Sequence, residues 1–524
     1  MCHPFNSCSL DHSVDNPIYS AFSSETVLDA IQHLKKDKKD DSVLASDHFI
    51  VAAPVIAEPL ASFFSVVLRH GFLPAQLINC VLVPIPKPGK NPSSSDSYRP
   101  IALASTLSKI LEWCILLDFS QFFVTSDLQF GFKSGCSTTL CTGVLKQIVA
   151  KYIHNGSPVF ACFLDASKAF DFVRHDILFD MLLSRGLPIP VVRLLSSWYS
   201  TQNLSVRWKN ALSSPFTVSN GVRQGGVLSP ILFSIYLDEL LLKLESTGVG
   251  CFWNSLYVGA LAYADDIVIL APSASALRIL LATCESHGSS LGLQFNALKT
   301  QLINFRIGVS DSYNTNTDFL FCGSLLQFSH TVMHLGNKLK YNLCDDEDIL
   351  LKSRYLSRAA NGLFATFPKI GPIPLTYLFS SYCLALYGCE LWNLSSPGLR
   401  SLEVVLNKCL RRIWGLPPTT HTGILHCCAR IQSIYNVVHS RCHKFVERAR
   451  SGTNSLAKLI FLQDLPYTFT GYNTLCGYDH LKSYSHDDEV CAKVLRDFLS
   501  SNIVCDVCYG TSSIDTMLKT IATA

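Results

Sequence analysis

Charged residues are scarce in this chain of 524 residues, where Asp, Glu, Lys and Arg together make up 16%. The formal net charge is only +3, so any basic surface for nucleic acid has to be local. Hydrophobic residues reach 48%, which excludes a disordered chain. The length exceeds that of one compact core and predicts about two to four structural units.

Regular cysteine spacing, a secretory signal, repeats and long low-complexity tracts are also missing. The 21 cysteines are odd in number and irregularly spaced, and the start Met1-Cys2-His3-Pro4 is not a signal segment. We therefore expect reduced thiols inside a cell. The uncharged stretch 371–389 contains Gly, Ser and two Pro, which favours a buried helix over a membrane span, so we expect no membrane partner.

The stretch Tyr263-Ala264-Asp265-Asp266 stands between two apolar runs, 256–262 and 267–270. Such runs around a tight polar break predict a β-hairpin with the two Asp residues at its tip. Adjacent carboxylates on an apolar hairpin repel each other and resist burial unless a cation lies between them. The stretch indicates a divalent-metal site or a plain polar turn, and taken alone it favours the plain turn.

A third acidic candidate, Asp165, directly follows the apolar run 159–164, which is typical of a buried strand. An Asp at the carboxyl end of a core strand faces a cleft and is a good ligand for a hard cation. Phe170 lies five residues further on and is either a core residue or part of the same site. We interpret Asp171 and Asp176 as cap or surface residues.

Three cations are expected on one exposed hairpin. An apolar strand from Val81 leads through the loop 87–90 to a second strand near Tyr98, and the prolines here suit edge and turn positions. Lys87, Lys90 and Arg99 on this hairpin could bind a triphosphate. Surface Lys and Arg are common, so the cations alone do not decide this.

Two glycine-containing loops each precede a predicted helix. The loop 129–139 either contacts phosphate or a template strand through its backbone amides or simply begins a helix that Ser137 or Thr138 caps. The loop 220–230 contains three glycines, which let backbone approach a ligand, and Gln224 offers a donor and an acceptor beside them. Its end predicts a helix with Ser229 at the N-cap and Pro230 at the first helical position.

A local excess of basic charge lies in residues 400–450. This segment has nine Lys and Arg residues against two Glu, a net charge of +7. With Trp414 nearby, it is either a surface for a nucleic-acid duplex or a solvated helix face, and the sequence does not decide between the two.

Taken in order, these motifs resemble the reverse transcriptases of non-LTR (LINE-type) retrotransposons of the jockey kind. The resemblance is strong over residues 81–336 and weaker over 337–420. Seven motifs carry it: Tyr-Arg-Pro-Ile at 98–101, Gln-Phe-Gly-Phe at 129–132, Asp165 with Phe170, Arg-Gln-Gly-Gly-Val-Leu-Ser-Pro at 223–230, Tyr-Ala-Asp-Asp at 263–266, the segment around Lys299, and His-Leu-Gly at 334–336. One such motif would be weak, but seven in order at appropriate separations are specific and reverse the preference for a plain turn.

The resemblance implies an α+β fold of the right-hand polymerase type, with fingers, palm and thumb. The palm would be an antiparallel sheet backed by helices, followed by a mainly helical C-terminal region. The implied division is an N-terminal extension (1–74), fingers and palm (75–345), a thumb-like basic region (346–450) and a C-terminal region of unknown role (451–524).

The implied activity is RNA-directed DNA polymerisation, in which a primer 3′-hydroxyl attacks the α-phosphate of a deoxynucleoside triphosphate. Two Mg²⁺ ions, for which Mn²⁺ can substitute, support such phosphoryl transfer. The metal ligands would be Asp165 and Asp265, with Asp266 secondary. The implied partners are an RNA template, a DNA or RNA primer and deoxynucleoside triphosphates.

The resemblance also implies roles for further residues. Phe170 would exclude the ribose 2′-hydroxyl, Lys87 and Arg99 would hold the triphosphate, with Lys90 left as an alternative to Lys87, and Lys299 would protonate or neutralise the leaving pyrophosphate. Gln224 and Gly225 would line the nucleotide and template pocket. The segment 334–336 would be a primer grip.

Some parts of such elements are not recognisable. The chain before Val81 is too short for an endonuclease, an RNase H domain is not recognisable, and Cys505-Asp506-Val507-Cys508 lacks the second ligand pair of a zinc site. We therefore expect a truncated copy that depends on a separate endonuclease and resides inside the cell, in the nucleus. The alternatives are a catalytically silent RNA-binding relic, against which the intact Asp residues argue, and a maturase-like polymerase encoded by an intron.

Overall fold

The computed structural model describes residues 21–40, 44–306 and 318–463. The start of the chain, most of the region 451–524 and the Cys505–Cys508 pair lie outside the described residues. The fifteen helices in these ranges are α1 (Ser24–Gln32), α2 (Ser46–His70), α3 (Ala75–Ile78), α4 (Thr106–Asp118), α5 (Thr138–His154), α6 (His175–Ser184), α7 (Ile189–Thr201), α8 (Ser229–Ser246), α9 (Ala274–Ser290), α10 (Asp346–Thr366), α11 (Pro372–Tyr382), α12 (Gly398–Trp414), α13 (Thr422–Ala429), α14 (Ile434–Ser451) and α15 (Ser455–Leu462).

The strands are short and lie mostly in the first two thirds of the chain. The fifteen strands of the described residues are β1 (Cys80–Pro86), β2 (Tyr98–Leu103), β3 (Val159–Asp165), β4 (Asn203–Trp208), β5 (Ala211–Leu212), β6 (Phe216–Thr217), β7 (Phe252–Trp253), β8 (Leu256–Tyr257), β9 (Ala260–Tyr263), β10 (Asp266–Ala271), β11 (Gln301–Phe305), β12 (Leu320–Phe321), β13 (Ser324–Leu325), β14 (Thr331–His334) and β15 (Asn337–Lys340). The predicted mixture of helices and sheets is confirmed.

The central sheet has four strands in the order β11-β3-β10-β9, and every neighbouring pair is antiparallel. Strands β3 and β10 are buried along almost their whole length. This explains why their sequences are continuous apolar runs rather than alternating patterns. Helices α5, α8 and α9 pack against the sheet. Within β3 and β10, Asp165 and Asp266 are the residues that are not buried.

The second sheet contains β1 and β2, which form the predicted proline-containing hairpin, together with β4, β5 and β6. Strand β4 runs parallel to β1, and Pro84 faces Pro100 across the hairpin. Because proline lacks an N–H donor, this part of the ladder has fewer hydrogen bonds. The loop 87–90 directly follows β1 and is mostly exposed.

Helix α2 combines a buried face with an exposed apolar face. Phe49, Ala53, Ala57 and Phe64 are buried at helical spacing, whereas Val51 is 82% exposed. Among the described residues, α2 alone has the length and composition of a membrane-crossing helix, which is weak support for such a role because core helices pass the same test. The absence of a membrane partner stays a prediction.

Buried side chains form two large cores in the described residues. The first extends from Phe22 through the central sheet and also includes residues 442–461 of α14 and α15. The second lies among α10–α14, from Ile349 to Val438. The domain boundaries drawn from the sequence stay predictions. The packing shows that the end of α14 and α15 return to the core that carries the central sheet.

The stretch 371–389 was expected to be a buried helix, and this expectation is only half right. Helix α11 buries Leu375 and Phe379, but Tyr377 and Tyr382 on its other side are more than 70% exposed. A tyrosine carries a polar hydroxyl group on an apolar ring, so the absence of charge does not require burial on every side.

Candidate active site

The three candidate carboxylates meet at one end of the central sheet. Asp165 ends β3, and Asp266 begins β10 directly opposite it in the antiparallel register. Asp266 also pairs with Tyr263, so β9 and β10 are joined by a tight turn of Ala264 and Asp265. Ala264 has a positive φ of 57°, an unusual conformation for a non-glycine residue. The predicted hairpin is present, with Asp265 in the turn and Asp266 on the strand.

Proximity and burial change the acid–base behaviour of the two turn carboxyls. Burial, reinforced by the carboxylate of Asp165, raises the pKa of Asp265, against the opposing effect of Arg99. Burial and the carboxylates of Asp265 and Asp165 raise the pKa of Asp266 to about 6. Asp266 is an exposed residue, but the surrounding protein still desolvates its carboxylate. The ionised forms are therefore destabilised in the absence of a cation.

The donor set has the chemistry that a hard divalent cation requires. Three carboxylates at neighbouring positions of the sheet provide oxygen ligands and mutual repulsion that a cation would relieve. Within the described residues, however, no three His, Cys, Asp or Glu side chains are grouped closely enough to hold a metal ion as they stand. Instead the Nζ of Lys299 lies 3.5 Å from Oδ2 of Asp165. The three carboxylates are neighbours in the sheet, but their oxygen atoms do not surround one common position for a cation.

An open cleft of about 810 Å³ lies beside these carboxylates. Of the nine predicted site residues, eight line it: Lys87, Arg99, Asp165, Phe170, Gln224, Gly225, Asp265 and Lys299. Asp266 does not line the cleft. These residues are spread over more than 200 positions of the chain, from Lys87 to Lys299. The cleft is therefore a product of the tertiary fold.

Phe170 forms part of an aromatic wall of this cleft. Its ring stacks on that of Phe233, with centroids 4.2 Å apart, and the ring of Phe132 meets it edge-on at 6.4 Å. Phe233 is fully buried in α8, so it fixes the plane of the Phe170 ring. The half-buried ring of Phe170 lines the cleft and also packs on the core. It is therefore both a core residue and a part of the site, the two alternatives that the sequence left open.

Two lysines, Lys87 of the β1–β2 hairpin and Lys168 after β3, contact Asp96. The Nζ of Lys87 donates to the backbone carbonyl of Asp96 at 2.8 Å, and the Nζ of Lys168 pairs with the Asp96 carboxylate at 2.8 Å. Lys87 lines the cleft and Lys90 does not, so the geometry favours Lys87. Lys168 and Asp96 also line the cleft and were missed from the sequence, although Lys168 lies only three positions after Asp165.

The glycine-containing loop 220–230 approaches β2 through its backbone. The backbone N–H of Ala102 donates to the carbonyl of Gln224 at 2.7 Å, and Gly225 has a φ of 122°. A Cβ on Gly225 would lie 2.7 Å from the Ala102 carbonyl oxygen, so only glycine fits there. The side-chain amide of Gln224 donates to Asp171 at 3.2 Å.

Glu112, which sequence reasoning missed, stabilises this loop through hydrogen bonds. Its buried carboxylate accepts from the guanidinium of Arg223 at 2.5 Å and from the backbone N–H groups of Val227 and Leu228. The predicted Ser229 N-cap is wrong: α8 begins at Ser229, Leu228 takes the cap position, and no side-chain cap forms. Glu112 supplies an acceptor for the amides at the start of this helix.

Residues 85–336 match the family described as Reverse transcriptase (RNA-dependent DNA polymerase). The chain is 27% identical over 458 residues to the RNA-directed DNA polymerase from mobile element jockey of Drosophila funebris, covering 83% of this chain and 48% of that protein. It is 26% identical over 451 residues to the probable RNA-directed DNA polymerase from transposon BS of Drosophila melanogaster, covering 83% of this chain and 49% of that protein.

These relatives confirm the resemblance to enzymes of jockey-like non-LTR retrotransposons. The chain spans about half the length of the curated relatives it matches. Among solved structures, a telomerase from Candida tropicalis aligns with a TM-score of 0.38 and 13% identity over 74% of this chain and 63% of that chain. This structural likeness is distant.

The Gln-Phe-Gly-Phe motif at residues 129–132 lies against the Ala264–Asp265 turn. The side-chain oxygen of Gln129 accepts hydrogen bonds from the backbone N–H groups of Gly131 and Ala264. Ser137 caps α5, as one of the two predicted alternatives stated. The motif was identified from the sequence, but its contact with the turn was not.

The segment 334–336 lies in the tip of the β14–β15 hairpin. His334 is 4% exposed and its Nδ1 pairs with the hydroxyl of Thr142 at 3.0 Å. Burial lowers the pKa of His334 to about 3, so the ring is neutral. The carbonyl of Leu335 accepts from Tyr387, and that of Gly336 accepts from Lys352. The primer-grip role stays a prediction. His334 itself is a buried residue that packs the β14–β15 hairpin against the core.

Several cations of the basic segment 400–450 have structural partners. The guanidinium groups of Arg411, Arg441 and Arg450 donate to the backbone carbonyls of Thr420, Ala385 and Phe461, respectively. Arg412 lies over the ring of Phe364 at 4.4 Å. Arg400 and Lys408 are exposed on α12. Some of these basic side chains therefore stabilise helix ends and loops, and others, such as Arg400 and Lys408, are exposed to solvent.

Proposed function

We propose that the protein is an RNA-directed DNA polymerase that adds deoxynucleotides to a primer 3′-hydroxyl on an RNA template. The single observation that carries this proposal is the cleft in which Asp165 and Asp265 face Lys87, Arg99 and Phe170. A cleft lined by both carboxylates and cations could bind the metal ions and the phosphates of a nucleoside triphosphate. The named activities of the curated relatives support the same reaction.

Asp165, Asp265 and Asp266 would hold two Mg²⁺ ions, with Mn²⁺ as a substitute. When bound, such ions lower the pKa of an attacking hydroxyl and neutralise charge on a leaving group. The raised pKa of Asp266 supports this assignment, because carboxyls destabilised as anions gain most from a nearby cation.

The remaining residues of the cleft would orient the nucleotide. Lys87 and Arg99 would bind the triphosphate, and Lys299 would donate a proton or positive charge to the leaving pyrophosphate. The ring of Phe170, held by Phe233, would occupy the space that a ribose 2′-hydroxyl needs. Gln224 and Gly225 would contact the nucleotide and template at the opposite wall.

In this proposal the central sheet is the palm of a right-hand polymerase, the β1–β2–β4 sheet belongs to the fingers and the α10–α14 region is the thumb. The partners would be an RNA template, a DNA or RNA primer and deoxynucleoside triphosphates. A separate endonuclease would supply the primer end. The protein would act inside the cell, in the nucleus.

Primer extension on an RNA template tests the proposal. The purified chain with Mg²⁺ and deoxynucleotides should extend the primer, and the Asp265→Asn/Asp266→Asn double variant should not. Asp180→Asn is a matched control, because it removes an exposed carboxylate of α6 outside the cleft. No extension by folded wild-type protein that still binds RNA would reject the polymerase in favour of a silent RNA-binding relic.

A further inference from the structure

Gln129 is a fully buried amide whose oxygen has two backbone partners. Its Oε1 accepts from the N–H of Gly131 at 2.8 Å and from the N–H of Ala264 at 3.0 Å. Gln129 is 0% exposed, and among the described atoms its Nε2 has no hydrogen-bond partner. The buried side chain is therefore retained for its acceptor, because an unpaired buried N–H is unfavourable.

The loop that carries Gln129 runs beside β9 as an additional edge. The N–H of Phe130 donates to the carbonyl of Ala262 at 2.7 Å, and the N–H of Ala262 donates to the carbonyl of Leu128 at 2.9 Å. A Cβ on Gly131 would lie only 2.3 Å from the nitrogen of Ala264. Glycine at 131 thus permits a backbone-to-backbone approach that places the Gln129 oxygen under the turn.

The turn that Gln129 contacts needs such support. Ala264 has a φ of 57°, which is uncommon for alanine and persists where surrounding contacts determine it. The next residue is Asp265, whose carboxyl lines the cleft. A change in the Ala264 peptide orientation therefore moves the Asp265 side chain.

The same loop also contacts the nucleotide side of the cleft. Phe132 has a φ of 59°, and its ring meets that of Phe170 edge-on. The loop is thus in contact with both the carboxylate turn and the aromatic wall. Its arrangement can set the distance between these two parts of the site.

We infer that Gln129 is a positioning residue that holds the Ala264–Asp265 turn in the conformation in which Asp265 binds a divalent cation. This inference rests on the proposed polymerase function and deepens it. Gln129 touches neither substrate nor cation and acts through the N–H of Ala264.

Three substitutions separate the hydrogen-bond acceptor from side-chain volume. Gln129→Leu and Gln129→Met remove the acceptor, and Met preserves the unbranched shape. Gln129→Glu preserves an acceptor oxygen at the same position. Gln147→Leu is the matched control, because Gln147 is another fully buried Gln, on α5, and is not part of the turn contact.

Mn²⁺ binding to the full chain, measured by electron paramagnetic resonance without nucleotide, gives a readout besides activity. Loss of a residue that orients a metal ligand weakens binding about tenfold or more. We expect that effect for Gln129→Leu and Gln129→Met, near-wild-type binding for Gln129→Glu, and no change for Gln147→Leu. In primer extension the kcat of the Leu and Met variants should fall about 10- to 100-fold with little change in the KM for deoxynucleotide.

Thermal unfolding of each variant distinguishes a positioning role from a purely structural one. If Gln129→Leu and Gln129→Met lower the melting temperature as Gln147→Leu does but bind Mn²⁺ like the wild type, the inference is wrong. It is also wrong if Gln129→Glu is as impaired as Gln129→Leu. If wild-type protein shows no extension while Mn²⁺ binding follows the expected order, the polymerase proposal fails and the role of Gln129 stands.

Discussion

Asp165 and Asp266 are direct cross-strand partners in the central sheet, with Asp265 in the adjoining turn. Like charges placed opposite each other in a sheet are destabilising. The pair is therefore unfavourable for the metal-free fold, and a bound cation would relieve the repulsion.

The stability of the metal-free protein should fall as pH rises through the titration of this cluster. The pKa of Asp266 is raised from 3.8 to about 6, so the folded state binds more protons than the unfolded state between these values, and the free energy of unfolding decreases with pH. Asp266→Asn removes this effect. Because Asp266 is exposed, solvent screening limits the gain of the variant at about pH 8 to roughly 1 kcal/mol, and the gain should vanish near pH 4.

Urea unfolding in the presence of a chelator, from about pH 4 to about pH 8, measures this difference. Asp180→Asn provides the control for loss of one surface charge. A difference between Asp266→Asn and the wild type that does not vary with pH would contradict the prediction.

Phe170→Ala should reduce discrimination against ribonucleotides. Removing the ring that stacks on Phe233 opens space beside the proposed sugar position, so incorporation of ribonucleotides relative to deoxynucleotides should rise about tenfold or more. Phe170→Tyr keeps the ring and should keep the selectivity. Single-nucleotide primer extension with both sugars measures the ratio, and an unchanged ratio in Phe170→Ala removes Phe170 from this role.

The buried pair of Arg223 and Glu112 should be strongly coupled. Both side chains are less than 5% exposed, so Arg223→Met or Glu112→Gln leaves an unpaired buried group and should lower the free energy of unfolding by about 3–5 kcal/mol. The double variant should lose clearly less than the sum. Asp176→Asn in the exposed pair with Arg174 is the control and should lose at most about 1 kcal/mol.

Denaturant unfolding of the two single variants and the double variant gives the coupling energy. Strict additivity of the Arg223 and Glu112 substitutions would show that the pair does not hold the loop 223–228.

The start of α15 should stabilise the loop that contains Gln129. The side-chain amide of Asn454 donates to the carbonyl of Asp127 at 3.0 Å, and its oxygen caps α15 through the N–H of Ala457. Asn454→Ala should destabilise the protein by about 1–2 kcal/mol, since it removes a cap and a tertiary hydrogen bond. It should also increase amide hydrogen exchange in residues 127–135.

Ser433→Ala is the matched control, because Ser433 caps α14 without a contact to Asp127. It should lower stability through loss of a cap and leave exchange in residues 127–135 unchanged. Equal exchange in both variants would mean that α15 does not support the loop.

The individual strands and the carboxylates were predictable because their sequence patterns are local. An apolar run bounded by Asp165 and a hairpin interrupted at Asp265 and Asp266 can be recognised from neighbouring residues. The order of the motifs then predicted which residues share a site, and eight of nine line one cleft.

The supporting contacts were decided by the tertiary structure. Gln129 and Ala264 are 135 residues apart, Glu112 and Arg223 are 111 apart, and Asp127 and Asn454 are 327 apart. Likewise, the sequence did not show that His334 is buried, and an acceptor from Glu112 replaces the expected Ser229 cap. Local patterns determine strands and turns through neighbouring side chains, whereas these contacts depend on which distant surfaces the closing core brings together.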